Sequence, residues 1–288
     1  MNPTTAECHT RGMLRAFRQV DVFTTVPYRG NPVAVVLDAT GLSSGDMQRF
    51  AHWTNLSETT FVLPPSTSEA DYRVRIFTPV GELPFAGHPT LGTCHAWLES
   101  GGTPHTSDRI VQECTAGLIP IRRAEDMLAF AAPPLIRSGH VDGATLDRIA
   151  ADLGIYPSDI LDAAWADNGP GWVAVLLESA DTVLALQPNP VSLDIGVVGF
   201  HGTDEDAAIE VRAFFPKDGA TVEDPVTGSL NASVAMWLRD SGRLSPPYIA
   251  RQGTTLGRAG VVHVDVDDTG TIWVGGGTVT CIAGNVEI

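Results

Sequence analysis

Acid–base chemistry at neutral pH needs a carboxyl or imidazole whose protonation is not set by bulk water, and three residues stand where that is feasible. Glu58 lies in NLSETTFVL, after a helical stretch and directly before an apolar strand, an uncommon place for glutamate. Drawn out of water there, its charged form is destabilised, its pKa rises toward neutrality and it can serve as a general base. A glutamate in an exposed loop has the same spacing. His88, in HPTLGTCHA, and Asp224, in DPVTGSLNA, open two segments sharing the pattern x-P-x-x-G-[ST]-x-x-A. An imidazole and a carboxyl at matching places of a repeated unit make an asymmetric titratable pair. Taken singly, each has an alternative: a hydrogen-bonded core histidine, or a helix-capping aspartate. A modest pKa shift leaves the imidazole able to change charge near neutral pH and act as a partner acid. An ionised Asp224 beside Glu58 raises the glutamate's pKa further, and the two titrate as a pair.

The same segments carry Gly92-Thr93 and Gly228-Ser229. Pro and Gly punctuate a turn, and Thr or Ser stands near the start of an apolar helix. A helix start presents unpaired N–H groups and partial positive charge. One such turn alone is most simply a cap. Two matched copies facing each other across a cleft between domains can grip a carboxylate.

The elements that must position these residues also come in two copies. VRIFTP (74–79) returns as VRAFFP (211–216), and VAVVLD (33–38) returns as VAVLLE (173–178). With the turn pair, that makes three matches in the same order at nearly equal offsets, which indicates duplication. The period is far too long for a solenoid. A chain of 288 residues suits two domains. DYRVRIF and IEVRAFF alternate with a period of two, while VAVVL and VAVLL are short apolar strands. SGDMQRFAHWTN places Met47, Phe50 and Ala51 at helical spacing, and ATLDRIAADLG places Leu146, Ile149 and Leu153 on one helical face with Gly154 as C-cap. Trp97 and Trp237 read as core or rim packing. The first lobe is expected over 14–127 and the second over 128–274, with the active site between them. The tail 275–288 is expected to return to the first lobe, and Gly275-Gly276-Gly277 reads as a strand-end turn.

A net charge of −16 repels nucleic-acid backbones and obliges any carboxylate ligand to find a locally electropositive pocket. No apolar run approaches the roughly 18 residues of a membrane span. The opening MNPTTAECHTRGMLRAF has no apolar stretch of a signal peptide and reads as a loose leader. Cys8, Cys94, Cys114 and Cys281 are scattered, against a disulfide framework or zinc knuckle and in keeping with a reducing cytoplasm. His88 and His95 lack a third ligand at metal spacing, so no metal site is expected. Ser229 does not stand in a G-x-S-x-G elbow, because Thr227 is two before it, and no G-x-G-x-x-G occurs.

GNPVAVV (30–36), NLSETTFV (55–62), FTPVGELPFAGHPTLGT (77–93), FFP (214–216) and EDPVTGS (223–229) together resemble the phenazine-biosynthesis PhzF-like family, from about residue 17 to the C-terminus. The resemblance implies an α/β (α+β) fold of the diaminopimelate-epimerase type, with two pseudo-symmetric lobes that each curl a β-structure around a central helix. It also implies a homodimer. Glu58 matches the family's proton-transferring glutamate, His88 and Asp224 its cleft His and Asp, and Ser229 its substrate-contacting serine. Gly87 and Gly228 match glycines whose backbone lies against the ligand. The implied activity is isomerisation without cofactor or metal, as of trans-2,3-dihydro-3-hydroxyanthranilate. Epimerases of this fold use a thiol from each lobe at the aligned turns. Neither turn here has one, and Cys94 lies inside the first helix, which excludes a two-thiol racemase. The expectation is a proton-shifting isomerase of secondary metabolism acting on a small, carboxylate-bearing cyclic or unsaturated metabolite. Rivals are an epimerase on a related acid, a non-catalytic small-acid-binding protein and a metal-dependent hydrolase.

Overall fold

The computed structural model describes residues 12–124 and 127–288, so Cys8 and most of the expected leader lie outside the described residues. The first copy runs β1 (Leu14–Val22), β2 (Asn31–Val36), α1 (Ser44–Thr54), β3 (Thr59–Leu63), β4 (Tyr72–Phe77), β5 (Glu82–Leu83), α2 (Gly87–Glu99), β6 (Arg109–Cys114) and β7 (Gly117–Ala124). A link follows of β8 (Met127–Ala131), β9 (Arg137–His140) and α3 (Gly143–Leu153). The second copy runs β10 (Asp162–Asp167), β11 (Val173–Leu176), α4 (Ala180–Ala185), β12 (Ile195–Phe200), β13 (Ile209–Lys217), β14 (Ala220–Asp224), α5 (Gly228–Asp240), β15 (Tyr248–Gln252), β16 (Gly260–Val266) and β17 (Ile272–Glu287).

The duplication is visible in the pairing. In the first copy β2 lies parallel to β3 and β4 parallel to β6; in the second, β11 lies parallel to β12 and β13 parallel to β15. The remaining neighbours are antiparallel, and each copy closes into a ring. The result is a mixed α/β fold with a closed sheet, each ring wrapped around one apolar helix, α2 or α5. Both central helices have 13 residues. The strands facing them, such as β2 and β11, are buried on both faces and read as unbroken apolar runs. Outside the rings, Met47 and Ala51 of α1 cover Val36, Phe61 and Phe77, while Ile149 and Leu153 of α3 cover Val173, Val175 and Val197. The outer helices begin on side-chain caps: Ser43 for α1, Asp142 for α3 and Ser179 for α4. Gly154 ends α3 at φ 71°.

Neither ring closes with its own strands alone. β8 pairs with β7 of the first copy and continues into β9, which pairs with β10 of the second. β17 runs the other way. Its first part pairs with β16, and from Thr278 onward it pairs with β1. The two crossing strands are themselves paired, from Trp273–Ala131 to Gly277–Met127. Gly275-Gly276-Gly277 therefore lies inside a strand, not at a strand-end turn. A Cβ on Gly275 would stand 2.4 Å from the Leu128 carbonyl oxygen, and one on Gly276 2.8 Å from that of Val261. The glycines let the crossing strands approach.

Candidate active site

The starts of α2 and α5 meet at the centre of the molecule. A Cβ built on Gly87 would lie 3.4 Å from the Cα of Gly228 and 2.6 Å from the Phe130 ring, so both glycines are required by close approach. These two helices, unlike α1, α3 and α4, have no side-chain cap. Their first N–H groups are left to whatever enters between the lobes, which concentrates partial positive charge at one point of an acidic protein.

Three ionisable groups surround that point. Glu58, on the turn leading into β3, places Oε2 3.2 Å from His88 Nε2, with the side chains 15% and 7% exposed. The two atoms are buried and not aligned as a hydrogen bond. Asp224 ends β14 in the other lobe. Its Oδ1 accepts from Asn31 Nδ2 at 3.1 Å, and its Oδ2 accepts from the Thr227 hydroxyl at 2.6 Å. Asn31 links the lobes: the same amide donates to the Val226 carbonyl at 2.9 Å and lies 3.4 Å from His88 Nδ1. Behind Asp224, Gln252 donates to the Thr227 hydroxyl at 2.9 Å and to the Asp224 carbonyl at 3.1 Å. Ser229 is held from outside by Trp172, whose Nε1 donates to its hydroxyl at 3.0 Å, and by Asn168, whose amide donates to its carbonyl at 2.9 Å.

Burial dominates the electrostatics. It pushes the Glu58 carboxyl up to about 8, with Asp224 adding to the rise and Lys217 opposing it. Burial also raises Asp224 to about 6, against the pull of its bonds from Thr227 and Asn31. The two carboxyls titrate as a pair with Asp224 ionising first. His88 is pushed down to about 3 by burial, against a smaller pull from the Pro32 carbonyl. The imidazole is therefore neutral at physiological pH. It is not the charge-changing acid that a modest shift would have made it, because too little water reaches the ring to solvate a cation.

Gly92 and Thr93 are elsewhere. They lie in the second turn of α2, not at its start. A Cβ on Gly92 would meet Val33 Cγ1 at 2.3 Å, and the buried Thr93 donates to the Thr60 hydroxyl at 2.8 Å. Their N–H groups belong to the helix, so they have no place in a ligand site. The shared x-P-x-x-G-[ST] pattern misaligns the copies by five residues: topology equates Gly87 with Gly228, and thus His88 with Ser229. Through the registers Ile76–Leu83 and Ala213–Asp224, Asp224 corresponds to Leu83. Through Ala34–Thr59 and Ala174–Gly196, Glu58 corresponds to Ile195. A symmetric frame thus carries a different polar set on each side of the cleft.

A model of the phenazine biosynthesis-like protein family matches residues 20–284. The chain belongs to the PhzF-like isomerase family. It is 36% identical over 262 residues to the trans-2,3-dihydro-3-hydroxyanthranilate isomerase of Pseudomonas aeruginosa, covering 87% of this chain and 90% of that one. It is 39% identical over 290 residues to antisense-enhancing sequence 1 of Schizosaccharomyces pombe, covering 93% and 97%. The crystal structure of a PhzF-family protein from Bacillus anthracis matches with a TM-score of 0.81 and 27% identity, over 96% of this chain and all of that one. A hydroxyproline epimerase from Agrobacterium vitis shares the fold at a TM-score of 0.57 and 16% identity, over 96% and 93%.

Within this PhzF-like frame, sequence reasoning missed Asn31, Thr227, Gln252, Asn168, Trp172 and Phe130. Asn31 left a trace as the one polar side chain heading the apolar run NPVAVV, where only a hydrogen-bonded role lets it be buried. Gln252 and Phe130 left none, since their partners are distant in sequence. Cys94 is fully buried in α2, its thiol pushed up to about 12 by burial. His95 lies between the hydroxyls of Thr278 and Thr280.

Proposed function

We propose that this PhzF-like protein moves a proton between carbons of a small, cyclic, unsaturated carboxylic acid, using its own side chains for the acid–base work. The observation that carries this is Glu58 Oε2: buried, without a hydrogen-bond partner among the described residues, and beside His88 at the meeting point of two uncapped helix starts. Ionised Glu58 takes a proton from a carbon made acidic by conjugation with the carboxylate. The electron pair passes into the conjugated system, and the helix starts hold the charge that develops on the carboxylate oxygens. Glu58 then returns the proton at another carbon, so the double bond moves without net oxidation. His88 and Ser229 position the substrate. Asp224 has both oxygens engaged by Asn31 and Thr227, which suits it to orient rather than to abstract. A positioned base contributes about 10²–10⁴-fold, and orientation in a dry cleft supplies more. The relative acting on trans-2,3-dihydro-3-hydroxyanthranilate supports the substrate class.

The test is incubation with that compound and with cyclic unsaturated acids in D₂O, read by mass spectrometry. Wild type should introduce deuterium with migration of the double bond, and Glu58→Gln should abolish both while still binding ligand. Exchange without migration would indicate epimerisation at one carbon by the same groups. Exchange retained by Glu58→Gln and lost in Asp224→Asn would move the base to Asp224.

A further inference from the structure

Lys217 is the only lysine in the chain. It ends β13 at the two-residue turn Asp218-Gly219, where φ is 52° and 79°, the left-handed pair that suits a tight hairpin. In the register of this hairpin Ala213 faces Asp224, Phe215 faces Val222 and Lys217 faces Ala220. Residues directly opposed, and residues two apart on one strand, share a face of a β-ribbon. Lys217 therefore projects from the same face as Asp224. Between them lie Phe215 and Val222, both half-buried, forming an apolar floor. Four strand steps of about 3.4 Å make it about 14 Å long, and the flexible four-carbon stem of lysine can fold back over part of that span. The opposite face is occupied by Arg212, Phe214 and Glu223, with Arg212 paired to Glu223. On the matching hairpin of the first lobe, the counterpart of Lys217 is Val80, which is 86% exposed. The positive charge stands on one side of the cleft only.

The charge balance gives this arrangement a use. The cleft already holds Glu58 and Asp224 in a protein of net charge −16, and the helix starts provide for one substrate carboxylate. Lys217 is exposed, and its ammonium is close enough to draw the Glu58 pKa down. A carboxylate held at the helix starts cannot also reach the far end of the floor. Building on the function proposed above, we infer that Lys217 selects substrates with a second anionic group, which its ammonium pairs while the ring lies on Phe215 and Val222. The preferred substrate class is then a cyclic dianion whose two acidic groups stand on opposite sides of the ring.

The probes are benzoate and terephthalate, the same ring with one carboxylate and with two, titrated calorimetrically into the full-length protein. Wild type should bind terephthalate about tenfold more tightly than benzoate, as expected for one charge-assisted contact. Lys217→Met should remove or reverse that preference while leaving benzoate unchanged, and Lys217→Arg should keep it. Bound terephthalate, but not benzoate, should also slow acetylation of Lys217 by acetic anhydride. That site is identified without ambiguity by peptide mass spectrometry, because no other lysine competes. A preference absent from wild type, or one that survives in Lys217→Met, overturns the inference and leaves the small-acid cleft standing. Failure of both probes to bind wild type removes the cleft reading itself, and this inference with it.

Discussion

At the scale of single residues, the site runs against stability. Folding keeps Glu58 protonated up to about 8, although the side chain ordinarily loses its proton near 4.5. Between those values the folded chain binds a proton that the unfolded chain has released, so stability is greatest below about pH 4.5 on this account and falls as pH rises through 8. Asp224 contributes in the same direction over a lower range, up to about 6. His88, lowered to about 3, is neutral in both states above pH 7 and does not oppose the trend there. Urea unfolding should therefore show wild type losing on the order of 2–4 kcal/mol between pH 6 and 9, and Glu58→Gln losing distinctly less. An equal loss in both proteins would mean that the glutamate is not desolvated in the fold. The rate carries the complementary sign: kcat/KM should rise with pH through about 8, as the fraction of ionised base grows. Glu58 was legible in sequence because a charged residue interrupts an apolar context. The depth of the His88 shift was not, because it depends on packing by residues from both lobes.

At the scale of elements, two glycines in the same helix have different duties. Gly92 lets α2 lie against β2 and β1, with Val33 and Val22 in the way of any larger residue. Gly92→Ala should cost roughly 1–3 kcal/mol of stability by overpacking, with ligand affinity of the folded fraction little changed. Gly87→Ala pushes a methyl group into Phe130 and toward Gly228, separating the two helix starts. It should weaken binding of a small carboxylate far more than its effect on the melting temperature suggests. Thermal melts paired with calorimetry decide between them, and the opposite pattern would restore Gly92 to the ligand site. The repeat in the sequence revealed the strand–turn–helix units correctly but set the turns five residues out of register. Proline and glycine recur for local reasons of turn and packing, and a short pattern of them cannot tell a helix start from its second turn. Burial and pairing can.

At the scale of the molecule, the two lobes are not separable bodies. Residues 278–287 are the partner of β1, and β9 is the partner of β10, so each ring depends on a strand from beyond its own copy. Equilibrium unfolding should accordingly show one transition by far-UV and near-UV circular dichroism. Deleting residues 278–288 should expose the β1 amides to rapid hydrogen exchange and lower the midpoint substantially. A truncated protein that melts like the full chain would show that the first ring closes without its borrowed strand. The duplicated, two-lobed architecture was legible in sequence because matching strings recurred in one order. The strand exchange was not, since β8 and β17 carry ordinary strand patterns whose partners are chosen by topology.

That exchange also sets a timetable for synthesis. β17, which completes the first lobe, is made long after β1, so β1 waits with an unpaired edge until β17 has emerged. At about 5–20 residues per second the wait lasts tens of seconds for a chain of this length. An open strand edge is a template for pairing with other chains throughout that time. The first lobe can be compact early but is finished only once β17 is out, and a ribosome stalled just before Thr278 would hold β1 without its ring-closing partner and without a formed cleft.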